Sequence, residues 1–288
     1  EYTGIPYLDI VVASTIPALL YYFSVYSQVH YTSVRLGLKG LDKSVVPPLS
    51  ETMKNGGLFL VPLAAIVWAL FEGFSPTFVA LFGAVAVIVI SFFRKQTRLS
   101  VTRMVETLAE TGRRLAPVVG ACTAAGFVIG GITMTGLAAK LSALVFLMTG
   151  DAIWLTLIVA AIMTIVLGMG MPTLPAYLII VLIMGPAIEN FDIPLLLAHL
   201  FIFYYGVASS ITPPVALAAY AAAPIAGSKP LATAVMAIRL GFAKFLIPFI
   251  FVYYPCIVFS EYFDLLDAAV VFPRVIMMIW LVSTALAG

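Results

Sequence analysis

Residues 167–175 read Leu167-Gly168-Met169-Gly170-Met171-Pro172-Thr173-Leu174-Pro175. Two glycines and two prolines this close together cannot continue a helix, because proline lacks an N–H and glycine is too flexible. On both sides the chain is apolar, from residue 152 to residue 188. That stretch is too long for one membrane span of about 20 residues and too short for two with a proper loop. It predicts a re-entrant hairpin with its tip at the glycines and prolines. A helix break at membrane depth is tolerated only where the backbone is buried in protein or lines a water-filled cavity. The carbonyls freed before such a break suit a cation, and the amides freed after it suit an anion. Thr173 adds a hydroxyl.

Composition places this hairpin in a membrane protein. The chain has 288 residues, 63% apolar and 10% charged, with a mean hydropathy of +1.13. Soluble domains carry about 25% charged residues. A soluble enzyme, a disordered chain and a nucleic-acid binder are thereby excluded as the main reading. The net charge of +2 is too weak and scattered for a nucleic-acid footprint. Cys122 and Cys256 lie in apolar runs and form neither a disulfide framework nor a metal cluster. The expected fold class is an all-α polytopic membrane protein. The sequence starts at Glu1, with no Met and no signal peptide, so a C-terminal fragment of a longer polypeptide is expected.

Outward from the hairpin, candidate spans fall at residues 10–29, 58–71, 77–93, 115–137, 195–226, 241–259 and 268–287. The links 30–56, 94–114 and 227–244 hold 13 of the 15 Lys and Arg but only four of the 13 acids, which makes them cytoplasmic. The remaining acids, among them Asp151, Glu189 and Asp192, mark external links. Both ends of 152–188 are therefore external, as a re-entrant hairpin requires. Residues 195–226 must cross once and are too long for one straight helix.

Their break is Gly206-Val207-Ala208-Ser209-Ser210-Ile211-Thr212-Pro213-Pro214, near the expected bilayer midplane. It has three hydroxyls and a Pro-Pro pair. One such break reads equally well as a packing kink. Two glycine–proline–hydroxyl breaks, one in a hairpin and one in a crossing helix, are the arrangement expected of a secondary transporter. Hard oxygen ligands without paired carboxylates point to a monovalent cation such as sodium.

Other features are less specific. Residues 96–114 read either as an amphipathic arm on the inner surface or as a solvated connector. Gly126-xxx-Gly130 is a small-residue packing face, and the stretch from Gly130 to Gly136 could instead line a substrate path. His30 reads as interfacial. His199 could relay protons, but without a carboxylate in register it reads as structural. Arg274 can snorkel from the last span. No Ser-His-Asp set, HExxH, P-loop or dinucleotide fingerprint is present, so no enzymatic activity is expected.

The motif Gly168-Met169-Gly170-Met171-Pro172-Thr173, with Ala198-His199-Leu200-Phe201 and the run from Ser209-Ser210-Ile211-Thr212-Pro213-Pro214 to Tyr220, resembles the DctM-like large permease component of TRAP (tripartite ATP-independent periplasmic) transporters. It is most similar to the fused permeases that work with TAXI-type binding proteins, which the opening Glu1-Tyr2-Thr3-Gly4-Ile5-Pro6-Tyr7 also resembles. The resemblance covers essentially the whole chain. It implies an inverted-repeat, elevator-type symporter of the bacterial or archaeal inner membrane, driven by sodium and needing no other cofactor. It further implies import of small organic acids, C4-dicarboxylates among them, or amino acids from a periplasmic solute-binding protein, beside a small-subunit region.

On that pattern residues 152–188 and 195–226 are the hairpin and broken helix of the second repeat, while the first repeat is largely missing. The expected organisation is the end of the first repeat with scaffold helices at 1–95, an amphipathic arm at 96–114, a transport core at 115–226, and a cytoplasmic connector with C-terminal scaffold helices at 227–288. The implied sodium ligands are Gly168, Met169, Gly170, Thr173, Ser209, Ser210 and Thr212. The implied substrate contacts are Met171, Pro172, Thr173, Pro213 and Pro214. A stand-alone sodium-coupled carboxylate carrier and a non-transporting membrane scaffold are the rival readings.

Overall fold

A computed structural model of the chain describes residues 3–40, 42, 46–93, 100–189 and 191–287. Among these residues the only regular secondary structure is helical. Fourteen α-helices occur among them: α1 (Tyr7–Ala13), α2 (Thr15–Arg35), α3 (Leu49–Gly56), α4 (Leu60–Phe71), α5 (Pro76–Ser91), α6 (Val101–Thr135), α7 (Leu137–Thr149), α8 (Ile153–Gly168), α9 (Thr173–Glu189), α10 (Leu195–Ala208), α11 (Leu217–Ala226), α12 (Pro230–Leu240), α13 (Ala243–Tyr253) and α14 (Leu265–Ala287). By length and apolarity α6, the stretch Pro230–Tyr253 and α14 can each cross a membrane. Lys43, Arg94, Lys95 and Arg98 of the basic links, and the first residues of the expected 96–114 arm, lie outside the described residues.

The chain divides into two compact units. The first comprises Glu1–Val12 and Gly37–Ala116. At its centre α4 and α5 form a tight antiparallel pair. Pro76 starts α5 at a position where its missing N–H costs nothing. Gly83 lets the two helices approach, since a Cβ there would meet the Ile66 side chain at 2.8 Å.

The second unit comprises Ala13–Leu36 and Pro117–Gly288. Here α8 and α9 form a helical hairpin with the sharp turn at residues 169–172. At 16 and 17 residues, each arm extends about 25 Å, less than a hydrocarbon core of about 30 Å. α10 packs on both arms and on α13, so Leu197, Phe201 and Ile202 are fully buried with Ile180, Met184 and Ile247. α2 packs along α14 and α13. Small residues Ala216, Ala219 and Ala234 allow α11 and α12 to pack closely.

Three elements differ from the sequence expectations. The arm and the fourth span are not separate, because α6 runs unbroken from Val101 to Thr135, through Pro117. Gly136, at φ +63°, ends it and opens α7, an element with no counterpart in the expected spans. α7 packs against α9 and α8. The expected connector 227–244 is helix α12, which continues toward α13 as one apolar stretch. Lys244, which the expected link 227–244 and the expected span 241–259 share, lies within this stretch. On the Gly126 and Gly130 face of α6, a Cβ added at either glycine would meet nothing within 4 Å among the described residues.

Candidate functional site

Proline and glycine placement builds the site. α8 stops at Gly168, and the chain turns through Gly170 at φ +79°, a conformation that favours glycine, before Pro172 leads into α9. α10 stops at Ala208 and tightens into a short 3-10 turn over Ser209–Ile211. Thr212 is extended, the Pro213–Pro214 peptide is cis, and α11 begins at Leu217.

These two interruptions meet. The Ser209 hydroxyl donates to the Gly168 carbonyl at 3.0 Å and to the Gly206 carbonyl at 2.7 Å, with Ser209 buried. Gly168 is required at this contact, because a Cβ there would lie 2.9 Å from Ser209 Oγ. Near Gly170, Val215 Cγ1 would stand 3.6 Å from an added Cβ, in ordinary van der Waals contact. Two helix C-termini, those of α8 and α10, therefore converge at the Gly168–Ser209 junction. Each carries roughly half a negative charge from its unpaired carbonyls. The hydroxyl proton of Ser209 is shared between two carbonyls, so its lone pairs stay available to a cation. α9 and α11 begin just beyond the two breaks, and their first amides suit an anion.

The other expected ligands are placed less directly. Ser210 donates to Val207 O at 2.7 Å and Thr212 to Ala208 O at 2.8 Å, so both hydroxyl groups bond within their own segment. Met169, Met171, Pro172, Thr173 and Pro213 are half-buried, and Gly170 and Pro214 are exposed. Among the described residues, no side-chain hydrogen bond joins Thr173 to the broken helix. Tyr220, on α11, donates to Pro214 O at 2.7 Å and holds the extended link. No group of three His, Cys, Asp or Glu that could hold a metal ion occurs among the described residues.

Sequence reasoning missed two features. Thr164, one turn before Gly168, is fully buried, and its hydroxyl has no partner among the described residues. A lone Thr in an apolar helix gives no signal of this. The Tyr177 hydroxyl and His199 Nδ1 are 2.6 Å apart and tie α9 to α10. His199 is thus one of the contacts that hold the hairpin to the broken helix.

A profile of the DctM component of tripartite ATP-independent periplasmic transporters matches residues 2–266. No curated protein and no solved structure gives a significant match.

Proposed function

The chain belongs to the DctM family of tripartite ATP-independent periplasmic transporters, and on that premise we propose that it is the membrane permease subunit of a sodium-coupled importer. This is a transporter family and not an enzyme family, and a multi-pass membrane protein accords with the several apolar helices. The solute is a small organic acid or amino acid, handed over outside the inner membrane by a periplasmic binding protein. A small-subunit region, fused as in TAXI-type permeases, completes the assembly.

One observation carries this reading: the Gly168–Ser209 junction, where two interrupted helices end against each other. In the proposed cycle sodium takes oxygen ligands from the carbonyls of Gly168, Met169 and Gly170 and the hydroxyls of Thr173, Ser209, Ser210 and Thr212. Neutralising the two helix ends favours closure of the hairpin on the broken helix. The solute carboxylate binds beside Met171, Pro172, Thr173, Pro213 and Pro214, near the starts of α9 and α11. The hairpin and the broken helix then move as one body, by an elevator motion.

The test is solute uptake by the full-length protein in proteoliposomes. It is run with and without an inward sodium gradient and with and without the cognate binding protein. Uptake that needs both is expected. Uptake that needs sodium alone identifies a stand-alone carrier, and no uptake by folded protein identifies a scaffold.

A further inference from the structure

One face of α12 is buried and the other is open. Ala234 packs with Ala216 and Ala219 on the buried side. On the other side Leu231, Ala232, Val235, Met236 and Arg239 follow one helical stripe, and Lys229, just before the helix, extends it. These six residues line an open groove of about 490 Å³, within the usual range of about 300–1,000 Å³ for ligand sites. Leu231, Val235 and Met236 are 59%, 57% and 44% exposed, so nothing among the described residues covers them.

A cation stands at each end of this groove. From Lys229 to Arg239 is ten positions, about 15 Å along the axis. The Lys229 ammonium is exposed and makes no hydrogen bond or ion pair among the described residues. Arg239 donates Nε and Nη2 to the Leu286 carbonyl, which leaves its Nη1 for another acceptor. α2, α11 and the 3-10 turn Ser209–Ile211 pack on α12, and none of them contains Asp or Glu. α12 and α13 contain none either. The acid of α14 is Asp267, at the end opposite Leu286.

The two cations share one membrane face. α14 has 23 residues, about 34 Å, which crosses a hydrocarbon core of about 30 Å. Leu286 is its last residue but one, so it lies at a membrane surface. The long side chain of Arg239 brings the guanidinium to that level. Lys229 immediately precedes Pro230, the first residue of the candidate span Pro230–Tyr253. The basic links mark this surface as the cytoplasmic one, where the leaflet carries anionic lipid. An apolar groove between two cations at this level matches a molecule with a phosphate and an acyl chain. A free anion leaves the apolar wall unused, and a zwitterionic lipid leaves the two charges unmatched.

We propose that the α12 groove binds one anionic phospholipid of the cytoplasmic leaflet. Lys229 and Nη1 of Arg239 hold the phosphate, and an acyl chain lies along Leu231, Val235 and Met236. The lipid sits one helix away from the interruption at Ser209, because α12 packs on that 3-10 turn. This inference needs membrane embedding and sidedness and does not depend on sodium coupling.

The experiment is native mass spectrometry of the full-length protein released from detergent, with phosphatidylglycerol, phosphatidylcholine or inorganic phosphate added. Wild type should retain one tightly held phosphatidylglycerol and neither of the other two. Lys229→Gln should weaken that binding about fivefold, and Lys229→Gln with Arg239→Gln about thirtyfold. Arg103→Gln with Arg113→Gln removes two charges from exposed positions of α6 and should leave it unchanged. Arg239 also holds Leu286, so the double variant is checked by size-exclusion elution, and Lys229→Gln decides alone if it does not fold. Unchanged phosphatidylglycerol affinity in Lys229→Gln overturns the proposal, as does an equal loss in the α6 control. Equal retention of phosphatidylcholine or of inorganic phosphate also overturns it. So does a wild-type protein that retains no lipid, the result expected if a protein surface covers the groove.

Discussion

Ser209 donates its hydroxyl to the carbonyl of Gly168 at 3.0 Å, joining the end of one interrupted helix to the break in another. Both residues are buried, and the contact bridges 41 positions of sequence. Nothing larger than glycine fits at position 168 without displacing Ser209.

Gly168→Ala should therefore impair uptake at least tenfold. The added methyl overpacks the junction at a cost of about 1–3 kcal/mol, offset by up to about 1 kcal/mol of helix propensity. Gly130→Ala on α6, with no atom within 4 Å of its Cβ position, is the control and should leave uptake near wild type. Uptake assays with thermal unfolding separate the two.

A second prediction concerns Gln28. Its amide donates to Ser24 Oγ at 3.2 Å and to Leu240 O at 3.1 Å, and Ser24 pairs with Ser283 Oγ at 3.0 Å. Leu240 O needs this partner because Lys244 N bonds instead to Gly241 O. Hydrogen bonds between membrane helices average about 0.6 kcal/mol and reach about 1.7. Gln28→Leu should lower the unfolding midpoint in detergent by a few degrees and leave the sodium requirement unchanged.

Gly136 is a backbone case. Its φ of +63° separates α6 from α7, and a Cβ there meets no atom within 4 Å. Gly136→Ala should cost about 1–2 kcal/mol from conformation alone, with Asn tolerated better and Val worse. Thermal unfolding of the three variants should give that order.

Tyr177→Phe removes the hydroxyl that meets His199 Nδ1 at 2.6 Å. Loss of this bond between α9 and α10 should cost about 0.5–1.5 kcal/mol, and thermal unfolding of the variant should show it.

Both interruptions are legible in the sequence because Gly and Pro act locally, and Gly168–Pro172 and Ser209–Pro214 fall inside apolar runs. The family is legible from the same motifs. α7 is not, because residues 137–149 continue the apolar character of α6 and only the left-handed Gly136 divides them. The continuity of α6 is hidden by its change from charged to apolar residues near Leu115. Lys244 reads with the inner basic link because charge alone does not say where α13 begins. The bond from Ser209 to Gly168 and that from Gln28 to Leu240 are tertiary, and no periodicity announces them.

The most direct measurement is the sodium activation curve of uptake by the full-length protein carrying Ser209→Ala, Ser210→Ala or Thr212→Ala. Thr135→Ala, whose hydroxyl bonds within α6, serves as the control. Losing one oxygen ligand of a cation should cost about 1.4 kcal/mol, or a factor of ten in affinity. The account predicts that Ser209→Ala raises the half-maximal sodium concentration about tenfold. Ser210→Ala and Thr212→Ala should each raise it severalfold, and Thr135→Ala should leave it unchanged. The same half-maximal concentration in all four folded variants as in wild type would contradict a cation site at this junction.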